Sequence, residues 1–194
     1  MARRRTAILI SGRGTNMAAL IEAARDPSYP AEIAVVISNI ASAKGLEIAE
    51  AAGIKTLAIS NKYYSTKTVF EEQILKELSE SRIELVCLAG FMRVLSASFI
   101  SHFEGRILNI HPSLLPAYRG LDTHKRALAD GVKDHGCTVH FVVPELDAGP
   151  VIAQAIVPVL DGDTEETLSA RVLIAENRLY PEALAKVAAS LAPL

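Results

Sequence analysis

The chain has 194 residues, half of them hydrophobic and 22% charged, with a net charge of −2 at pH 7. A chain of this size builds a core without disulfides, and its composition is that of a globular rather than a disordered protein. The slight negative balance offers no field for a nucleic-acid groove or an anionic membrane, and no apolar run reaches the length of a membrane span.

The chain opens on a basic stretch, MARRR, followed by TAILIS at 6–11. TAILIS is too short for a signal-peptide core and runs into a glycine turn, so it reads as the first buried strand of a cytoplasmic protein. A helix follows over 15–25 with Leu20 and Ile21 inward, then a strand at 32–38 (EIAVVIS) and a short Ala-rich helix at 43–52. TLAIS (56–60) and IELVCLA (83–89) are further strands. Between them, residues 66–81 set Phe70, Ile74 and Leu78 on one helical face. Strand–helix alternation implies a parallel sheet with helices on both faces, and strands that are apolar throughout fit burial on both sides.

Beyond residue 100 the pattern is less regular. RILNI (106–110), CTVHFVV (137–143) and VIAQAIVPV (151–159) read as strands, the last two as a pair, with a helix at 122–130. A long helix closes the chain. Asp163 fits its N-cap, with Glu166 three residues on, and Pro181 is expected to kink or split it. No repeat, low-complexity tract or linker breaks the chain, so 1–194 reads as one domain.

Four stretches could hold chemistry. SGRGTN (11–16) joins a strand end to a helix start through a Gly-rich turn, a place where backbone N–H groups suit a phosphate. A dinucleotide fingerprint fails there, because Met17 stands at the third glycine position and the second strand ends at Ser38-Asn39 without an acid for a ribose. A Walker loop fails for want of GK[ST]. The reading is a monophosphate site, against a plain tight turn.

The second stretch is LNIHPSLLP, where Asn109 and His111 fall at the carboxyl end of a strand, two apart and so on one side. An amide donor beside an imidazole suits an oxyanion and a proton source; the alternative is a polar pair capping a strand. The third is PELDAGPVI, where Asp147 either bonds its own turn or orients His111 and keeps it protonated. The fourth is the histidine set: His111, His124, His135 and His140 lie close to Asp147 in sequence, but without HxH, HExxH or facial-triad spacing, so no metal is expected. Cys87 and Cys137 lie in apolar strands outside any CxxC pair and read as buried free thiols.

Taken in order, LISGRGTNM, LAGFMRVLS, LNIHPSLLPAYRG, VHFVVPELDAGPVIAQ and ARVLIAENRLYP make the chain similar, over essentially its whole length, to the phosphoribosylglycinamide formyltransferases. These are folate-dependent enzymes of purine biosynthesis within the wider formyltransferase family. The resemblance implies a Rossmann-like α/β fold, a mostly parallel twisted sheet with an antiparallel C-terminal strand pair. A phosphate- and nucleotide-binding half would cover about residues 1–100, and a folate and catalytic half about 101–194. Asn109, His111 and Asp147 would be catalytic, and no metal is implied. Gly14, Thr15, Asn16 and Met17 would hold the phosphate of glycinamide ribonucleotide, and Glu176 its ribose hydroxyls. Met92, Arg93, Val94 and Leu95 would line the site of 10-formyltetrahydrofolate, with Asn109 reaching the formyl group and Ile107 and Val142 as apolar walls. Lys67 stands where the family often carries an arginine near the folate tail, and a lysine makes a less directional carboxylate contact. Pro144, in the pterin-side loop, removes a backbone donor. The chain ends sooner after its last helix than some relatives.

Rival readings remain at this stage. A formyltetrahydrofolate hydrolase shares the Asn-His-Asp set but carries an extra N-terminal domain, for which a first strand at residue 6 leaves no room. A methionyl-tRNA formyltransferase adds a basic C-terminal domain. A non-catalytic folate- or nucleotide-binding module is the third. The resemblance implies small-molecule partners only, and either a monomer or a homodimer.

Overall fold

The computed structural model describes residues 3–192. The first two residues of the basic start, and the last two of the 1–194 span, lie outside the described residues. The elements run β1 (Arg4–Ile10), α1 (Thr15–Ala23), β2 (Ala31–Ser38), α2 (Lys44–Ala51), β3 (Lys55–Ala58), α3 (Lys67–Glu80), β4 (Leu85–Leu88), α4 (Ala97–His102), β5 (Ile107–His111), α5 (Thr123–Ala129), β6 (Asp134–Phe141), β7 (Val151–Pro158) and α6 (Glu165–Ser190). One sheet takes all these strands in the order β3-β2-β1-β4-β5-β6-β7. The pairs from β3 to β5 are parallel, and β5–β6 and β6–β7 are antiparallel. The α/β sheet with an antiparallel C-terminal pair is therefore as expected.

Strand residues alternate between two cores because successive side chains leave opposite faces. Ile8, Ile10, Cys87, Leu108 and Ile110 pack under α1, α2 and α6 with Met17, Leu20 and Tyr180. Ala7, Leu9, Val86, Leu88 and Ile107 pack against Phe70, Ile74 and Leu78 of α3 and Phe99 of α4. Cys87 and Cys137 are buried free thiols, each pushed up to about 12 by burial.

Two details of α6 differ from expectation. Its N-cap is Thr164, not Asp163: the Thr164 side chain accepts from the Thr167 N–H, and Thr167 Oγ1 accepts from the Thr164 N–H. Asp163 is instead held by Arg171, whose guanidinium bonds both carboxylate oxygens at 2.8 and 2.9 Å and keeps the acid below its usual range. Pro181 does not split the helix, which is continuous across it. The missing N–H removes one rung of the ladder. Leu179, Tyr180, Ala183 and Leu184, all buried around it, anchor the helix on both sides of the proline. The Tyr180 hydroxyl lies 3.0 Å from the carbonyls of both Leu88 and Leu108, fastening the helix to β4 and β5. At its far end the Leu191 carbonyl accepts from the Arg4 guanidinium. The short α4 and a 3-10 turn at Asn61–Tyr63 are additions to the sequence reading.

The topology places the site. The chain builds β2 and β3 on one side of β1, then returns to lay β4 and β5 on the other. The carboxyl ends of β1 and β4 therefore flank a crevice where the strand order reverses, and such crevices take ligands in open α/β sheets. No helix among the described residues is long and apolar enough to cross a membrane. Thr164→Ala should cost about 1 kcal/mol of unfolding free energy through the lost cap, read as a lower urea midpoint at unchanged m-value.

Candidate active site

Asn109 and His111 occupy alternate positions at the end of β5, so both leave the same face of the sheet. In the antiparallel register Asn109 stands opposite His140, and His111 opposite Thr138. His140 Nδ1 lies 2.9 Å from the Phe141 carbonyl and so carries the proton there. Its Nε2 is then an acceptor, 3.2 Å from Asn109 Nδ2. One amide hydrogen of Asn109 is thus fixed on His140 and the other is free for the cleft. Burial pushes the His140 pKa down, which keeps that acceptor unprotonated.

Asp147 joins the same cluster. Its backbone is left-handed, with φ 49°. It does not bond its own turn: Oδ2 accepts the Gly120 N–H at 2.9 Å and lies 3.3 Å from His111 Nδ1, while Oδ1 lies 3.7 Å from His140 Nε2. Gly149 explains the route of the chain, because a Cβ there would stand 1.8 Å from the Phe141 carbonyl oxygen. His111 Nε2 lies 2.9 Å from the Tyr118 carbonyl. Both ring nitrogens of His111 therefore face oxygen acceptors, and only the doubly protonated ring donates to both.

The proline loop between β5 and α5 is fastened from below. Thr138 Oγ1 donates to the Ser113 carbonyl at 2.7 Å and accepts the Leu115 N–H at 3.0 Å. Gln154 Nε2 lies 2.9 Å from both the Leu115 carbonyl and Thr138 Oγ1. The Leu115–Pro116 bond is cis.

The cluster opens into a cavity of about 810 Å³. Its polar end holds Asn16 and Glu176, joined by a 2.7 Å bond from Asn16 Nδ2 to Glu176 Oε2. Asn16 Oδ1 is buried without a partner among the described residues. Glu176 is 8% exposed, and burial raises its pKa. Beside it, Gly14 precedes α1 at φ 74°, and no side chain caps the helix. The first N–H groups of α1, on Thr15, Asn16 and Met17, have no partner within the helix. The Met17 side chain is fully buried in the core, so only its backbone can meet a ligand. The turn itself is wedged: a Cβ on Gly14 would stand 2.8 Å from the Gly45 Cα, and one on Gly45 2.4 Å from Ile10 Cδ1.

The other end of the cavity is apolar. Met92 and Val94, 65% and 62% exposed, line it with Arg93, Leu95, Val142 and Pro144. Two expected residues do not reach it. Ile107 is 1% exposed within the core beside α3 and α4, one residue-pair deeper along β5 than Asn109, so it supports the wall rather than forming it. Lys67 is half-exposed at the start of α3, with Nζ 3.8 Å from Glu71, outside the cavity lining.

Sequence reasoning named His140 only within the histidine set, not as the partner of Asn109, and it missed Gly45. The signal for His140 was the strand register, which sets it opposite Asn109; Gly45 had no local signal. His124 lines the cavity, and its Nδ1 lies 3.1 Å from His135 Nε2. Among the described residues no three His, Cys, Asp or Glu side chains are grouped to hold a metal ion.

The formyl transferase family pattern matches residues 4–184. By sequence the chain is 53% identical over 184 residues to the trifunctional purine biosynthetic protein adenosine-3 of Gallus gallus, covering 95% of this chain and 18% of that protein. It thus spans under a fifth of that relative's length. It is 47% identical over 174 residues to the phosphoribosylglycinamide formyltransferase of Escherichia coli, covering 90% of this chain and 82% of that one. The crystal structure of phosphoribosylglycinamide formyltransferase from Brucella melitensis superposes with a TM-score of 0.94 at 56% identity, covering 98% of each chain.

The histidine pair gives a pH test. Burial, then the neighbouring His124 and His111, pushes His135 down from 6.5 to about 4. The folded chain keeps it neutral while the unfolded chain protonates it. Its contribution is therefore present above pH 6.5 and is lost as pH falls through about 4. Urea midpoints should fall across that window, and His135→Asn should flatten the fall. An unchanged slope in the variant would assign it to other groups.

Proposed function

We propose a function on one premise: the chain belongs to the formyl transferase family. The reading is that it moves the formyl group of 10-formyltetrahydrofolate onto the amine of glycinamide ribonucleotide. The products are formylglycinamide ribonucleotide and tetrahydrofolate, in purine synthesis. The observation that carries it is the Asn109–His111–Asp147 cluster at the middle of one cleft, with a polar end at Asn16 and Glu176 and an apolar end at Met92 and Val94.

The cleft suits both substrates. The open N–H groups after Gly14 fit a 5-phosphate. Glu176 and the unpaired Asn16 oxygen fit hydroxyl donors on a ribose. At the other end Met92, Arg93, Val94 and Leu95 would hold the pterin through backbone groups and apolar contact, with Val142 opposite. Lys67 would meet the folate tail only as a flexible charge at the rim. When bound, 10-formyltetrahydrofolate supplies the carbon that the amine attacks.

Asn109 donates its free amide hydrogen to the oxygen that becomes negative as that carbon turns tetrahedral. A positioned donor of this kind contributes about 10²–10³ in rate. His111 supplies the proton for the departing folate nitrogen, and the amine loses one in exchange. To donate into the cleft, Nε2 must share or leave the Tyr118 carbonyl, while Asp147 holds Nδ1 and keeps the ring oriented. Holding two substrates in contact adds about 7–11 kcal/mol of barrier reduction. Residues 1–194 would act as one formyltransferase domain, with the ribonucleotide end drawn mainly from the first half. The Asn16–Glu176 hydrogen bond, between one residue of each half, supports that reading. The protein would work in the cytoplasm on small molecules, without a metal, as a monomer or homodimer.

The test follows 10-formyltetrahydrofolate by absorbance with and without glycinamide ribonucleotide. Loss that requires the ribonucleotide is the expected result; loss without it would mean hydrolysis, and no loss in either case a binding module. His111→Ala should lower kcat by about 10²–10⁴ while phosphate-end binding survives. A fully active variant would remove His111 from the mechanism.

A further inference from the structure

We infer that Ser11 and Glu71, both outside the cavity lining, are positioning residues that pin the Gly90–Ser96 segment in the shape that binds folate. This rests on the functional reading above and adds two residues to it.

The segment needs an outside constraint. It lies between β4 and α4 and has no regular structure. Among the described residues, the backbone N–H and C=O groups of Arg93 and Val94 make no hydrogen bond within the protein. Free backbone groups are what a heterocycle edge can bond, but a stretch without internal bonds does not hold a shape by itself.

Two buried side chains supply the missing fixtures, one at each end. Ser11 Oγ accepts the Met92 N–H at 2.8 Å. The same hydroxyl donates to Asn39 Oδ1 at 2.5 Å, which fixes its direction, and the Ser11 N–H holds the Gly90 carbonyl at 3.0 Å. At the other end Glu71, only 4% exposed on α3, accepts the Ser96 N–H at 2.9 Å and the Ser96 hydroxyl. Ser96 Oγ in turn accepts the Phe99 N–H and caps α4. A carboxylate this buried is retained at a cost, and here both of its oxygens are spent on one residue of the folate-side segment. Glu71 also faces Lys67, with Nζ 3.8 Å away. Ser11 is the residue from which the phosphate turn departs. Among the described residues the hydroxyl itself reaches only Asn39 and Met92, while the Gly12 carbonyl in the turn is held separately by the Gly45 N–H at 3.1 Å.

The experiment measures KM for each substrate, kcat, urea midpoints and amide hydrogen exchange in Ser11→Ala, Glu71→Leu and Glu71→Gln. Losing a buried hydrogen bond to the loop should raise the KM for 10-formyltetrahydrofolate on the order of 10-fold, leave the KM for the ribonucleotide within about twofold, and speed exchange at the Met92 or Ser96 amide. Glu71→Gln, which keeps an acceptor for the Ser96 N–H, should recover most of the loss that Glu71→Leu shows. Unchanged folate KM in both Ser11→Ala and Glu71→Leu overturns the assignment. So does an equal rise in both KM values with a lower urea midpoint, which would mean general loosening. If the wild-type protein shows no ribonucleotide-dependent loss of 10-formyltetrahydrofolate, the functional reading fails separately. The exchange data then decide the pins alone, and unprotected or unchanged amides at Met92 and Ser96 overturn them.

Discussion

The polar cluster at the end of β5 is referred to one carboxylate. Asp147 sits in a left-handed backbone conformation that costs a non-glycine residue roughly 1–2 kcal/mol, and the return is a pair of oxygens that reach three separate segments. Through Oδ2 it meets the proline loop at Gly120 and the end of β5 at His111. Through Oδ1 it faces β6 at His140. A buried negative charge tolerates this place because the Gly120 N–H and His111 Nδ1 both face Oδ2. Remove the acid and the loop, the imidazole and the strand have no common reference point.

That arrangement divides the histidines by environment. His140, His124 and His135 are held toward their neutral forms, chiefly by burial. His111 alone has a carboxylate and a carbonyl on its two nitrogens. Neutral His140 is useful because it can accept from Asn109 and so aim the amide. A charged His140 would instead compete with His111 for Asp147. At the opposite end of the cleft, burial raises the Glu176 pKa, which makes its carboxylate a stronger acceptor for donors.

How much of this is legible in sequence follows the distance over which each feature is made. The alternation of apolar strands and helices declares the parallel sheet, and Asn109-x-His111 at a strand end marks two polar side chains that face one cleft, because both are local patterns. The Asp147 pairing is guessed from a motif but needs the fold to exclude the ordinary turn bond. His140 requires the register of β5 and β6. Gly45, Ser11 and Glu71 work through contacts made far along the chain, and nothing in their own neighbourhoods marks them. Ile107 was misplaced for a related reason: the period of a strand gives the side a residue faces, not the depth at which the core ends and the cleft begins. The cap of α6 was set one residue early because Asp163 and Thr164 are both capping types, and Arg171 decides between them from within the helix.

The uninterrupted α6 has a mechanical meaning. At about 1.5 Å per residue, 26 residues make a rod of roughly 39 Å. It carries Glu176 in the cleft and Tyr180 across the strand ends, and the backbone just beyond its last turn is fastened to the first strand by Arg4. Glu176 therefore stands on one uninterrupted element that is tied to the strand ends at Tyr180 and to the first strand just past its last turn, so its place in the cleft is set by contacts made at both ends of the chain.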